Sequence, residues 1–230
     1  MQEPRGHLLK LLKEYRMPAR AAELLDANPP LIIAGVTGAG KDTVEKQIEQ
    51  TTEWRHVVTT TTRKMRPGEA NGVDYWFVDD SQMLQMVQSE QLLDLKFLFG
   101  RDFYGPSIKA YEQALEDGHK PMLRIDVQGV NDLRLRVPEL RAFFVLPPSF
   151  EVWMERLDKR GHMSHVEKVQ RISTAQKEIE IAMREHYFIL VINDDLSRVA
   201  KEIETGVTDG SIQRRNHDIA QQLLDHIRAY

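Results

Sequence analysis

The residues with the plainest chemical purpose are Gly35-Val36-Thr37-Gly38-Ala39-Gly40-Lys41-Asp42-Thr43, a glycine-rich turn between the apolar run Leu31-Ile32-Ile33-Ala34 and a helical pattern. Glycines let successive backbone N–H groups turn inward on an anion with no Cβ in the way, a helix N-terminus adds partial positive charge, and Lys41 adds a full one. The spacing predicts a cradle for the phosphates of a nucleoside triphosphate, made by Gly35, Thr37, Gly38, Ala39, Gly40, Lys41, Asp42 and Thr43. The P-loop pattern asks for Ser or Thr directly after the lysine, as a Mg²⁺ ligand, but here Asp42 stands in that place and Thr43 follows. Mg²⁺ keeps several waters and takes one or two carboxylates, so Asp42 is the candidate metal ligand, although it also repels nearby phosphate.

Two further clusters carry cations. Thr59-Thr60-Thr61-Thr62-Arg63-Lys64-Met65-Arg66 concentrates hydroxyls and charge after a strand pattern, and Arg63 and Arg66, three residues apart, can converge on one phosphate monoester. The bland alternative is a solvated basic loop. Arg156, Arg160 and Arg171 form the other cluster, with Gly161 as a break. They read either as a charged helix face or as arginines that close over a transferring phosphoryl group. Between the clusters lie Asn71-Gly72-Val73-Asp74-Tyr75, a turn feeding a strand, and Phe99-Gly100-Arg101-Asp102-Phe103-Tyr104-Gly105-Pro106, which reads as a glycine-bounded aromatic loop able to grip a planar base.

The elements that must position these groups follow from periodicity. Besides 31–34, strand patterns occur at 56–59, 122–126, 141–146 and 188–192, and helical patterns at 42–51, 80–90, 108–117, 149–159, 165–186 and 195–206. Such alternation predicts an α/β fold with a parallel sheet covered on both faces and ligands at the strands' C-terminal ends. Residues 1–30 read as one or two short amphipathic helices and 211–230 as one more, each a candidate for packing on the core or for homo-oligomer contact. A chain of 230 residues suits one core with small subdomains. No cysteine occurs, which removes disulfides, Fe–S clusters and thiolate zinc, and no apolar run reaches membrane-spanning length. The net charge of −4 argues against nucleic acid as a partner. Acidic residues at Glu3, Glu14 and Glu23 argue against a targeting peptide, leaving the cytoplasm as the default.

Taken together, the motifs resemble guanylate kinase over about residues 31–205. The resemblance rests on the cradle, Thr61-Thr62-Arg63 with Arg66-Pro67-Gly68-Glu69, Asn71-Gly72-Val73-Asp74-Tyr75, Tyr104-Gly105, Ile125-Asp126-Val127-Gln128-Gly129, Arg156-Leu157 with Arg160-Gly161, and Val191-Ile192-Asn193-Asp194-Asp195. It implies a P-loop kinase three-layer core, an inserted mixed α/β monophosphate-binding subdomain near 59–105 and a helical lid near 157–171, flanked by extensions 1–30 and 206–230. It further implies Mg²⁺-dependent transfer from ATP to GMP or dGMP. In that reading Thr60, Arg63, Arg66, Tyr75 and Tyr104 serve the monophosphate, and Asp94, Ser107 and Asp126 the guanine. Lys41, Arg156, Arg160 and Arg171 face the transferring phosphates, and Asn193 lies near the adenine.

The sequence departs from the family's pattern where guanine would be read. Asp94 replaces a glutamate, Pro106 stands where a hydroxyl residue follows Tyr-Gly, with Ser107 one place later, and Arg124 occupies a position usually acidic. Two alternatives follow: a kinase of altered nucleobase preference, or a catalytically dead protein-binding module of the same fold. A regulatory GTPase is a third, since Asp126-Val127-Gln128-Gly129 fits Asp-x-x-Gly, but no Asn-Lys-x-Asp motif accompanies it.

Overall fold

Every helix that carries a candidate site residue starts from a definable cap or turn, and the caps fix which side chains share a face. The structure is a computed structural model in which residues 3–98, 100–159, 164–206 and 209–230 are described. In chain order the first elements are α1 (Pro4–Glu14), α2 (Ala19–Ala27), β1 (Leu31–Gly35), α3 (Lys41–Thr51), β2 (Trp54–His56), β3 (Thr59–Thr61) and β4 (Trp76–Phe77). Next come α4 (Asp80–Gln88), β5 (Lys96–Leu98), β6 (Asp102–Pro106), α5 (Ile108–Glu116), β7 (Lys120–Arg124) and α6 (Val127–Arg134). The chain then runs through β8 (Ala142–Leu146), α7 (Phe150–Asp158), α8 (His165–Arg184), β9 (Phe188–Ile192), α9 (Leu196–Thr205) and α10 (Gly210–Ala229). These elements fall into two compact units, Met1–Pro30 with Arg55–Leu123, and Leu31–Trp54 with Arg124–Tyr230.

In the second unit β1, β8 and β9 are parallel neighbours, with Gly35 opposite Val145 and Leu146 opposite Ile192. Ile32, Ile33, Phe144, Val145, Leu190 and Val191 are buried there, as the near-continuous apolar runs of a doubly covered sheet require. Helix α3 packs on α9, while α6 and α10 each pack on α8. The C-terminal helix is part of this core: Leu223, Leu224 and Ile227 are buried, and the amides of Asn216 and Gln213 donate to Leu190 O at 2.8 and 3.1 Å. Those bonds satisfy a carbonyl on the last strand of the sheet.

The first unit holds a four-stranded mixed sheet in the order β4-β3-β6-β5. β3 runs parallel to β4 and antiparallel to β6, pairing Thr60 with Gly105 and Thr61 with Tyr104. Helices α1 and α4 pack on each other, and Leu8, Met83, Val87, Leu92, Leu95 and Phe103 form one buried cluster.

Three expectations change. The strand expected at 56–59 is divided between β2 and β3, because Val57 N–H is drawn to Met122 O (2.8 Å) while Thr59–Thr61 pairs with β6. The aromatic segment expected as a base-gripping loop is strand β6 from Asp102 onward, held on both sides by β3 and β5, while Phe99 lies outside the described residues. The strand expected at 122–126 ends at Arg124, because Asp126 caps α6, a helix that periodicity did not indicate. The Asp126 carboxylate accepts from Gly129 N–H at 2.7 Å, so the Asp-x-x-Gly match is a helix cap.

Candidate active site

The residues expected to cradle a triphosphate lie in the second unit. Gly35 ends β1 with φ 139°, and a Cβ there would collide with the Val145 carbonyl of the neighbouring strand, so only glycine fits. The turn then runs into α3, whose first residue is Lys41. Its carbonyls are claimed from behind by three side chains. Trp153 Nε1 donates to Thr37 O (2.7 Å), and Asn193 Nδ2 and an Arg156 guanidinium nitrogen donate to Ala39 O (2.8 and 3.1 Å). Ser149 caps α7 and thereby sets Trp153 and Arg156 one turn apart on a common face. The Ala39 N–H is taken by Val36 O and the Thr43 N–H by Gly40 O (both 3.1 Å), so what the loop offers an anion is the positive N-terminal end of α3. A Cβ at Gly40 (φ 90°) would strike the Asn193 amide, so glycine is required at that contact too.

Lys41 Nζ donates to Gly35 O at 2.6 Å and Val36 O at 3.1 Å. Burial lowers its pKa, against the pull of Glu178. Glu178, on α8, is pushed up to about 7 by burial, with Lys41 opposing and Asp126 adding to the shift. Asp42 is half exposed and pairs with Arg124, whose guanidinium also donates to Glu45 Oε2 at 3.1 Å. The two departures from the family pattern at 42 and 124 are therefore partners in one ion pair. Glu45 is itself pushed up to about 7 by burial, with Arg124 opposing. Thr43 is exposed in the first turn of α3.

Of the lid arginines, Arg156 sits inside α7 as a brace of the loop, also donating to Asn193 O at 3.2 Å. Arg171 is partly exposed on α8, and Arg160 lies outside the described residues. Asn193 is 5% exposed, its amide committed to Ala39. Its amide thus holds the loop from the end of β9.

The monophosphate half lies in the first unit, just after β3. Arg63 is 7% exposed and forms a two-pronged pair with Glu69 (3.0 and 2.7 Å), which also accepts the backbone N–H of Arg66 at 2.8 Å. Burial alone would raise the Glu69 pKa, but the Arg63 and Arg66 hydrogen bonds outweigh it and hold the carboxyl below its usual range. The Arg63 guanidinium lies 5.2 Å from the Tyr75 ring centre and 5.5 Å from that of Phe77, and Tyr75 meets Tyr104 edge to face at 6.0 Å. Arg63, Tyr75 and Tyr104 thus converge, and Arg66 stands exposed beside them on the same turn.

Thr60 is 1% exposed within β3, and Thr61 and Thr62 exchange hydrogen bonds with Phe103. Much of the threonine run is thus taken up by the sheet. Asp94 is mostly buried, with Lys96 Nζ 3.5 Å from its carboxylate. Ser107, 7% exposed, caps α5 by accepting from Ala110 N–H at 3.0 Å. That bond uses a lone pair, and the hydroxyl proton remains an additional donor.

Sequence reading gave no role to Glu69, Trp153, Glu45 or Glu178. Glu69 stood inside Arg66-Pro67-Gly68-Glu69 and was legible as a carboxylate beside two arginines. For Trp153 and Glu178 no local signal exists, because their partners are more than 100 residues away in sequence.

Comparison with known proteins bears on the whole assembly. The family model described as Guanylate kinase matches residues 27–209. The guanylate kinase of Leifsonia xyli subsp. xyli is 36% identical over 194 residues, covering 84% of this chain and 74% of that protein. The guanylate kinase of Wolbachia pipientis wMel is 38% identical over 177 residues, covering 76% and 87%. The crystal structure of guanylate kinase from Anaplasma phagocytophilum superimposes with a TM-score of 0.60 at 25% identity, over 83% of this chain and 86% of that one. A glycine cradle with its lysine, an arginine turn organised by a carboxylate, and a family match across both lead to one conclusion: the chain belongs to the guanylate kinase family.

Proposed function

We infer that this protein is an ATP-dependent guanylate kinase, moving the γ-phosphoryl group of ATP to GMP or dGMP and releasing ADP and the nucleoside diphosphate. The observation that carries this reading is Lys41, fixed by the Gly35 and Val36 carbonyls in the floor of a glycine turn whose Thr37 and Ala39 carbonyls are held by Trp153, Asn193 and Arg156. The bond from the γ-phosphorus to the bridging oxygen of ADP breaks as one from a GMP phosphate oxygen forms. That oxygen needs no base, since the second pKa of a phosphate monoester is near 6. The protein's task is alignment and charge stabilisation.

In this reading Lys41 and the N-terminal end of α3 hold the donor's phosphates, with Arg156 keeping the turn in shape and Arg160 and Arg171 facing the group in transfer. Arg66, with Arg63 set by Glu69, takes the acceptor phosphate together with Tyr75 and Tyr104. Asp94 accepts from guanine N1–H and the 2-amino group, and Ser107 donates to O6. Asp126 stands on the guanine side in the family pattern, and Asn193 serves the loop. The oxygen donors at 42 and 43 fit Mg²⁺, a hard cation content with one carboxylate and the phosphates themselves. An ion held there would neutralise phosphate charge, and Arg124 orients the Asp42 carboxylate.

An ADP-release assay with Mg-ATP and a panel of GMP, dGMP, AMP, dTMP, CMP and UMP tests the function. GMP and dGMP are expected to be turned over at least about a hundredfold more efficiently than the pyrimidine nucleotides, as a site built on base hydrogen bonds demands. Release of ADP with none of the six overturns the enzyme, and equal use of all six overturns the base assignment.

A further inference from the structure

Tyr15, at the end of α1, donates its hydroxyl to Leu92 O at 2.6 Å, across 77 positions of sequence. Leu92 lies two residues before Asp94, and the segment between them is gripped from its other side by β6. There Leu93 N–H donates to Pro106 O at 2.8 Å, and Leu92 pairs with Ser107 in an isolated bridge. Gly105 packs so closely on the Asp94 carbonyl that no Cβ could stand there. The short segment 92–94 is thus held between the N-terminal helix and the strand that delivers Tyr104 and Ser107.

The helix is anchored well enough to bear on that segment. Leu8 is fully buried in one cluster with Met83, Val87 and Leu92. Arg5 pairs with Asp80 at 3.1 Å and lies 5.7 Å from the Phe97 and 5.8 Å from the Phe103 ring centre. The Tyr111 hydroxyl donates to Asn28 O, fastening the end of α2 as well. The family match starts only at residue 27, so α1 is a feature of this chain outside that match.

We propose that α1 is a positioning element for base recognition: through Tyr15 and the buried Leu8 it fixes segment 92–94, and with it the Asp94 carboxylate that reads guanine. This rests on the guanylate kinase reading above. Tyr15 is a positioning residue and touches no ligand. Asp94 is close enough to Tyr15 to add to the upward shift that burial gives the phenol, which places the carboxylate and the brace in one electrostatic neighbourhood. A shorter carboxylate than the family's glutamate has fewer rotamers with which to seek the base, so its backbone placement matters more.

The test compares GMP with inosine monophosphate, which lacks the 2-amino group, by calorimetric Kd and steady-state KM on the full-length chain. In Tyr15→Phe, Kd and KM for GMP should rise about threefold to tenfold, the worth of one neutral hydrogen bond. Those for inosine monophosphate, which keeps N1–H and lacks only the 2-amino contact, should rise by less, while kcat and the KM for ATP should stay within about twofold. Arg5→Gln, which leaves Tyr15 and Leu8 in place, should move the GMP to inosine monophosphate ratio in the same direction by less. An unchanged ratio in both variants, or equal losses on the two nucleotides tracking a drop in Tm, overturns the positioning role. A wild-type chain that does not phosphorylate GMP removes the reading beneath it, and the inference with it.

Discussion

The two phosphate-binding halves hold their cations in opposite ways. Around the glycine turn, Lys41 and Arg156 donate to backbone carbonyls of the loop they serve, neutral partners that fix position, with the Glu178 carboxyl supporting the Lys41 charge against burial. In the monophosphate half, Arg63 rests on a carboxylate, Glu69, and on aromatic faces, so its geometry is bought with part of its charge. The contrast matches the ligands proposed for them. A triphosphate that must give up a phosphoryl group demands strong, preorganised positive charge, whereas a monoester that only has to be aimed is served by a rigid fork and a second, exposed arginine at 66.

That contrast is broken or sharpened first at Lys41. Lys41→Ala should lower kcat at least about a hundredfold, the scale of removing one preorganised donor, while the Kd for GMP stays within about threefold. Near-normal turnover by this variant removes Lys41 from the chemistry. Next in size is Glu69→Gln. It leaves Arg63 without its charged partner, and a charge-assisted hydrogen bond of about 1.5–3 kcal/mol predicts a KM for GMP raised about tenfold to a hundredfold at unchanged KM for ATP. Equal shifts in both KM values mean that the two halves do not hold their cations independently.

The smallest effect concerns Glu178, the carboxyl behind Lys41. Its folded pKa, about 7, lies above the ordinary 4.5, so it contributes stability that is fully present below pH 4.5 and is lost as pH rises through 7. Glu178→Gln should therefore shrink the fall in Tm between pH 5 and pH 8 by a few degrees. A fall identical to that of the wild type means that the carboxyl titrates normally.

Much of the site was legible because its chemistry is local. Gly35 to Thr43 carried the cradle in nine consecutive residues, and Arg63 and Arg66 stood on one turn with Glu69 beside them. The threonines misled, since a hydroxyl looks the same in sequence whether it awaits a phosphate or, as with Thr61, bonds the Phe103 carbonyl 42 residues away. Segment 99–106 misled for a similar reason: glycines and aromatics read as a loop until two neighbouring strands claim the backbone from Asp102 onward. Asp126 carried two sequence readings, and the short-range bond to Gly129 N–H gives the pattern a third, structural one.

By itself the sequence determined the α/β architecture through periodicity and the glycine-lysine turn through spacing within a few residues, while the reaction class came from the resemblance of its motifs to guanylate kinase. Only the tertiary structure decided that Asp42 and Arg124 are partners 82 residues apart, that Trp153 and Asn193 hold the turn from behind, and that Tyr15 at the end of α1 holds the Leu92 carbonyl. Those pairings have no pattern along the chain, since a side chain finds a distant partner only where packing of whole elements brings the two within hydrogen-bond reach.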